Sequence, residues 1–163
     1  MRNQSHFISR IGVRAVVAGT LITISLTFLL MTLVAAMGFW NFRINEIPNM
    51  SSGYWFMAML AWAISSFAGG FVASMASRSE SNTDGVLNGI TAISASYVAI
   101  GVGAVFFAPY ALESMLASAT PQMFLQSFVG DAMGFVFGAL GGLTGVSYER
   151  RLVFISRRRG ALA

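Results

Sequence analysis

Four long stretches of this chain are almost free of charge, at about 15–40, 54–76, 86–108 and 124–146. At a rise of 1.5 Å per residue, each is long enough as a helix to cross a hydrocarbon core of about 30 Å. The stretches are continuously apolar rather than alternating, which argues against barrel strands. A backbone in lipid must also satisfy its own hydrogen bonds, which leaves helices. The sequence therefore predicts an all-α integral membrane protein with four transmembrane helices. They form one domain over 1–163 with short connections and a basic tail at 147–163. Only 10% of residues are charged and 56% are hydrophobic, where soluble domains carry about 25% charged residues. That leaves no stretch for a separate soluble domain. The first stretch follows Arg2, Arg10 and Arg14, and "LVAA" at 33–36 has the look of a cleavage site. Its apolar run exceeds the 7–15 residues of a secretory signal, so it is read as a retained span.

The arginines orient the chain. Arg2, Arg10 and Arg14 precede the first span, Arg78 lies between the second and third, and Arg150, Arg151 and Arg157–Arg159 follow the fourth. Only Arg43 lies on the other side. Positive loops stay in the cytoplasm, which predicts both termini inside. Trp40, Tyr54, Trp55 and Tyr110 then fall at the outer interface, where aromatic side chains gather.

Several chemistries are excluded by residue type. The chain has no cysteine, so disulfides and thiolate sites are out. All ten basic residues are arginine, which removes Schiff-base chemistry and the phosphate-binding lysine loop. The single histidine, His6, lies in the N-terminal tail. Ser147 in "GVSYE" has no histidine near it to make a nucleophilic pair. No metal or other cofactor is expected, no acid–base set converges, and the expected function is not enzymatic.

Small residues recur at every fourth position. Gly130, Gly134, Gly138 and Gly142 lie along the fourth span, Ala61, Ser65, Gly69, Ala73 and Ser77 along the second, and Thr91, Ala95, Ala99 and Gly103 along the third. Ala15 and Gly19 add to the first. Residues four apart share a helix face. In a membrane, helices associate by close packing that small side chains permit. The stripes predict either a tight four-helix core within one chain or, for one stripe, a face turned to another protomer or a membrane-protein partner.

The two halves echo each other. "RAVVAGTLITI" begins the first span and "DGVLNGITAIS" the third, each with Gly five residues after the charge, at Gly19 and Gly89. "GGFVASMASR" and "GGLTGVSYER" end the second and fourth spans, with Gly70 and Gly142 eight residues before an arginine. This pattern predicts two helical hairpins related by duplication.

Few polar residues interrupt the spans. Asp131 lies either about 10 Å deep, as an ion or proton site, or at the interface near the helix N-terminus, depending on where the fourth span starts. Arg14 is placed to snorkel, Asn88 to bond between helices, and Asp84 to cap the third span. The segment 109–123 fits a surface helix or a loop. Arg157, Arg158 and Arg159, beside Leu152, Val153, Phe154 and Ile155, suit anionic lipid or a cytoplasmic partner. Nucleic-acid binding is not expected, because the basic group is short and lacks a folded reader.

The stretch 54–93, with Trp62, Ser65, Gly69, Gly70 and Ala73 before a polar turn and the pair Asn88–Gly89 after it, resembles small bacterial four-helix membrane proteins, some labelled PhnA-like. "RAVVAGTLIT" extends the resemblance over 14–101. A His often stands in those proteins where this chain has Asn88. The resemblance implies the four-helix architecture and a bacterial inner membrane, and brings no activity with it. The expected role is a structural or interaction subunit of a membrane complex, or alternatively a small oligomeric transporter or channel with Asp131 near its path. Reporters fused to the C-terminus test the topology: a fluorescent protein should be bright there and periplasmic alkaline phosphatase inactive. The reverse pattern contradicts the arginine reading.

Overall fold

The structure is a computed structural model that describes residues 11–39, 52–78, 81–117 and 119–160. The described residues are almost entirely helical. Helix α1 (Val13–Val34) runs on into a π-type turn, Ala35–Phe39. There Gly38 adopts φ 81°, a left-handed conformation that favours glycine and ends the helix. Next come α2 (Ser52–Ala76), α3 (Asn82–Phe107), the short α4 (Pro109–Ala117) and α5 (Pro121–Gly160).

Four of these helices are long and apolar enough to cross a membrane: Val13–Gly38, Trp55–Ala76, Asn82–Phe107 and Pro121–Leu152. Two boundaries differ from expectation. Ser81, not Asp84, caps α3: its hydroxyl accepts from the Asp84 backbone N–H at 3.1 Å. Asp84 instead stands in the first turn, where its charge suits the helix dipole. Helix α5 also does not stop near residue 146 but continues through most of the segment read as a tail. No glycine or proline interrupts 146–159, so nothing there ends the helix. Segment 109–123 contains a helix that starts at Pro109, where the missing N–H costs nothing.

Hairpin α1–α2 packs beside hairpin α3–α5. Helix α2 lies against α5 and α1 against α3, and α2 also reaches α3 across the bundle. The interior is built from small residues: Ala15, Ala61, Ala63, Ala73, Ala92, Thr23, Ser65, Ser66 and Ser74 are all buried. Large apolar side chains point outward; Phe28 is 67% exposed, Phe106 75% and Phe128 70%. In water such a surface would drive association. Against lipid tails it costs nothing, and the interior is left for close approach.

That approach is backbone to backbone. A Cβ on Gly70 would strike the Gly138 carbonyl across α2 and α5, and one on Gly89 would strike the same carbonyl across α3 and α5. A Cβ on Gly142 would strike the Gly85 carbonyl. One on Gly19 would lie 2.6 Å from the Gly69 carbonyl oxygen and 2.7 Å from the Ala73 Cβ. Each adjacent glycine pair serves two neighbours. Gly69 faces α1 while Gly70 faces α5; Gly142 faces α3 while Gly141 meets the Phe67 carbonyl of α2.

The hairpins use corresponding contacts. Gly19 packs on Gly69 and Ala73, and the Thr23 hydroxyl occupies the space beside Gly69. Gly89 packs on Gly138 and Gly142, and the Ile93 side chain occupies the space beside Gly138. The packing equivalent of Gly69 is therefore Gly138 and that of Ala73 is Gly142. This is a different register from the Gly-Gly pairs that match by eye.

The stripes are used unequally. Ala61, Ser65, Gly69 and Ala73 are buried, as are Gly89, Gly134, Gly138 and Gly142. Around Gly130 a Cβ would meet nothing within 4 Å, and the same holds at Gly101 and Gly103. The packed face of α3 is Gly85, Asn88, Gly89, Ala92, Ile93 and Ser96, not the row through Thr91, Ala95, Ala99 and Gly103. That row is rotated one residue, about 100°, from the buried one.

Burial also stops partway along the bundle. Among the described residues, α2 has none buried before Ala61, α3 none after Ser96 and α5 none before Gly134, while on α1 Val34 alone is buried beyond Thr23. The bundle is close-packed toward the end that holds Gly12, Ser77 and Val146 and loosely packed toward the end that holds Phe107 and Pro121. Substitution should follow this gradient. Gly138→Leu should cost several kcal/mol, at or above the usual 1–3 for overpacking, because the obstacle is backbone. Gly130→Leu should stay within about 0.5 kcal/mol. Thermal unfolding in detergent measures both, and equal losses would refute the packing gradient.

Candidate functional site

Polar side chains inside an apolar bundle need partners, and here they meet between helices at two levels. Near the close-packed end, the Asn88 amide donates to the Ser77 hydroxyl at 2.9 Å, and that hydroxyl donates to the Ser74 carbonyl at 2.8 Å. Asn88 is fully buried. The missing side chains of Gly85 and Gly145 make room for the Ser74 hydroxyl. Nearby, Thr20 donates to the Ala92 carbonyl at 3.1 Å, tying α1 to α3. All these groups are neutral, and they serve to fix register between helices.

The second level lies where burial ends. Trp62 on α2 donates its indole N–H to the Tyr97 hydroxyl on α3 at 3.1 Å. The two rings are tilted at 51° with centroids 5.2 Å apart. The Tyr97 hydroxyl is hydrogen-bonded in turn to the Asp131 carboxylate on α5. Since the carboxylate can only accept and the indole can only donate, the phenol proton points at Asp131. Phe135, one turn along α5, stacks its ring 5.5 Å from that of Tyr97. Gly134 makes the arrangement possible, because a Cβ there would strike the Trp62 indole nitrogen and lie 2.9 Å from the Tyr97 hydroxyl. Three helices are thus joined by one chain, Trp62–Tyr97–Asp131, whose last member is exposed.

Helix geometry places this chain. Asp131 stands 19 residues before Arg150 on the continuous α5, about 28 Å along the axis at 1.5 Å per residue. That is close to the thickness of a hydrocarbon core, about 30 Å. The other candidates lie elsewhere. Arg14 is exposed at the close-packed end. Ser147 sits mid-helix and spends its hydroxyl on the Leu143 carbonyl at 3.0 Å. Arg157, Arg158 and Arg159 lie on the helical backbone of α5, but their side chains fall outside the described residues, as do His6, Trp40 and Arg43.

Tyr97 is the member that sequence reading missed. A tyrosine and a tryptophan within two apolar spans each carry a polar tip that needs a partner, and that was the available signal. The pairing itself spans 35 residues between Trp62 and Tyr97 and follows no local spacing. Comparison with family models, with curated proteins and with solved structures finds no match.

The hydrogen bond between Trp62 and Tyr97 should be measurable by a double-mutant cycle of Trp62→Phe and Tyr97→Phe. Interhelical bonds in membranes couple by about 0.6 kcal/mol on average and up to about 1.7. A coupling in that range is expected from unfolding in detergent, and zero coupling would contradict the pairing.

Proposed function

We propose that this is a multi-pass protein of the bacterial inner membrane, with both termini in the cytoplasm, and that it acts without catalysis as a structural or interaction subunit of a membrane complex. The observation that carries this reading is the sealing of the interior by backbone contacts. Gly70 on Gly138, Gly89 on Gly138 and Gly85 on Gly142 leave the bundle axis at its close-packed end filled by the chain itself. What remains for a second protomer or a partner is the outer surface, where Gly101, Gly103 and Gly130 have open space beside them. The bilayer covers the exposed apolar side chains. Arg157, Arg158 and Arg159 at the end of α5 suit anionic lipid, at about 1 kcal/mol each.

The Trp62–Tyr97–Asp131 chain favours a second reading, an oligomeric transporter or channel whose path passes Asp131. An acid on a helix of this kind is a functional candidate. Purification from native membranes in mild detergent, with mass spectrometry of what co-purifies, tests the first reading. A stoichiometric partner is expected. Recovery of the protein as a lone monomer contradicts the complex, and then a solute- or ion-linked phenotype abolished by Asp131→Asn would support the second.

A further inference from the structure

We propose that Asp131, with the aromatic group of Tyr97, Trp62 and Phe135, binds an organic ammonium ion. The carboxylate is exposed on a helix otherwise apolar enough to cross a membrane. Tyr97 supplies one hydrogen bond, and a carboxylate has acceptor capacity for about four. Among the described residues every arginine lies toward the other end of the bundle: Arg14, Arg78, Arg150, Arg151 and, by their place on the α5 backbone, Arg157, Arg158 and Arg159. The negative charge therefore has no described cation beside it.

The surroundings select the kind of cation. Hard metal ions need six or more oxygens, and this chain of side chains offers a carboxylate and one phenol. Aromatic faces attract soft, weakly hydrated cations such as alkylammonium groups. The ring centroids of Trp62 and Phe135 stand 5.2 and 5.5 Å from that of Tyr97. The Trp62 indole holds the phenol from behind, so its O–H is aimed at the carboxylate before any ligand arrives. Space is available as well. Beside Gly130, the neighbour of Asp131, a Cβ would meet nothing within 4 Å, and no residue of α5 before Gly134 is buried. An apolar substituent on the ammonium ion would meet the exposed Phe128, three residues before Asp131 on the same helix face. The ion can come free from solution or as the headgroup of an aminophospholipid.

This inference shares only its location with the transport reading, since binding to purified protein can hold or fail whether or not anything crosses the membrane. The full chain in uncharged maltoside micelles is titrated with benzyltrimethylammonium, and tryptophan emission and calorimetry report binding. Saturable binding is expected, weakened at least tenfold in Asp131→Asn and several-fold in Tyr97→Phe. Asp131→Asn should keep the parent's melting temperature, because Asp131 is exposed outside the close-packed region, whereas Tyr97→Phe gives up its bond to Trp62 and should stay folded but melt a few degrees lower. Uncharged benzyl alcohol should not compete. If phosphatidylethanolamine in the micelles competes and phosphatidylglycerol does not, the headgroup is the source; if neither competes, the ion binds from solution. Absence of saturable binding, unchanged affinity in a folded Asp131→Asn variant, or equal competition by benzyl alcohol overturns the proposal. Should Asp131→Asn not fold, Trp62→Phe takes its place: reduced affinity is expected, and unchanged affinity again overturns the proposal.

Discussion

The close approach of helix backbones at glycine is the contact on which the rest of this structure depends. Each glycine in a helix interior costs about 1 kcal/mol relative to alanine in water. Where lipid surrounds the bundle, that cost shrinks, because the backbone has no water to turn to. The gain is close packing at Gly70 against Gly138, Gly19 against Gly69, and Gly89 against Gly138 and Gly142. With few large side chains buried, Ile93 and Val146 chief among them, these crossings determine which helices are neighbours and in what register. Asn88 and Thr20 then lock that register with hydrogen bonds to Ser77 and Ala92.

An uneven bundle follows from where the glycines lie. Those that meet a neighbour cluster toward one end, and the glycines of the other end, at 101, 103 and 130, meet nothing within the chain. Between the two regimes sits a three-helix chain of side chains that reaches an ionisable group. Gly134 marks the changeover: it is the last packed member of its stripe, and the space it gives up holds the tips of Trp62 and Tyr97. The packing that closes one end thereby leaves Asp131 at the edge of the other.

Much of this was legible in the sequence, and what was not has a physical reason. The spans came from length and hydropathy, because apolar runs long enough to cross a bilayer have few other uses. Gly134, Gly138 and Gly142 stood out as a stripe for the same reason that they pack. Gly130 belongs to that stripe by spacing alone, since nothing in a four-residue period says where the neighbouring helix diverges. The row through Thr91 and Gly103 was misleading because several faces of α3 carry small residues, and composition cannot rank them. Hairpin equivalence was visible through Gly19 and Gly89 but shifted at Gly70 and Gly142, because each Gly-Gly pair faces two neighbours. The Asp131 site was half legible: the acid stood alone in an apolar span, whereas Tyr97 became its partner only through helix packing.

Cross-linking measures the central claim, a bundle closed at one end by glycine contacts and open at the other, most directly. The chain has no cysteine, so two introduced cysteines report one pair without background. A Cβ on Gly12 would lie 3.3 Å from the Ser77 Cβ, within relaxed reach of the roughly 3.5–4.5 Å of a disulfide. Neither Gly103 nor Gly130 has a neighbour within 4 Å of its Cβ position. Gly12→Cys with Ser77→Cys should therefore oxidise readily within one chain, while Gly103→Cys with Gly130→Cys should not. Efficient cross-linking of the second pair, or failure of the first in a folded protein, would contradict the account.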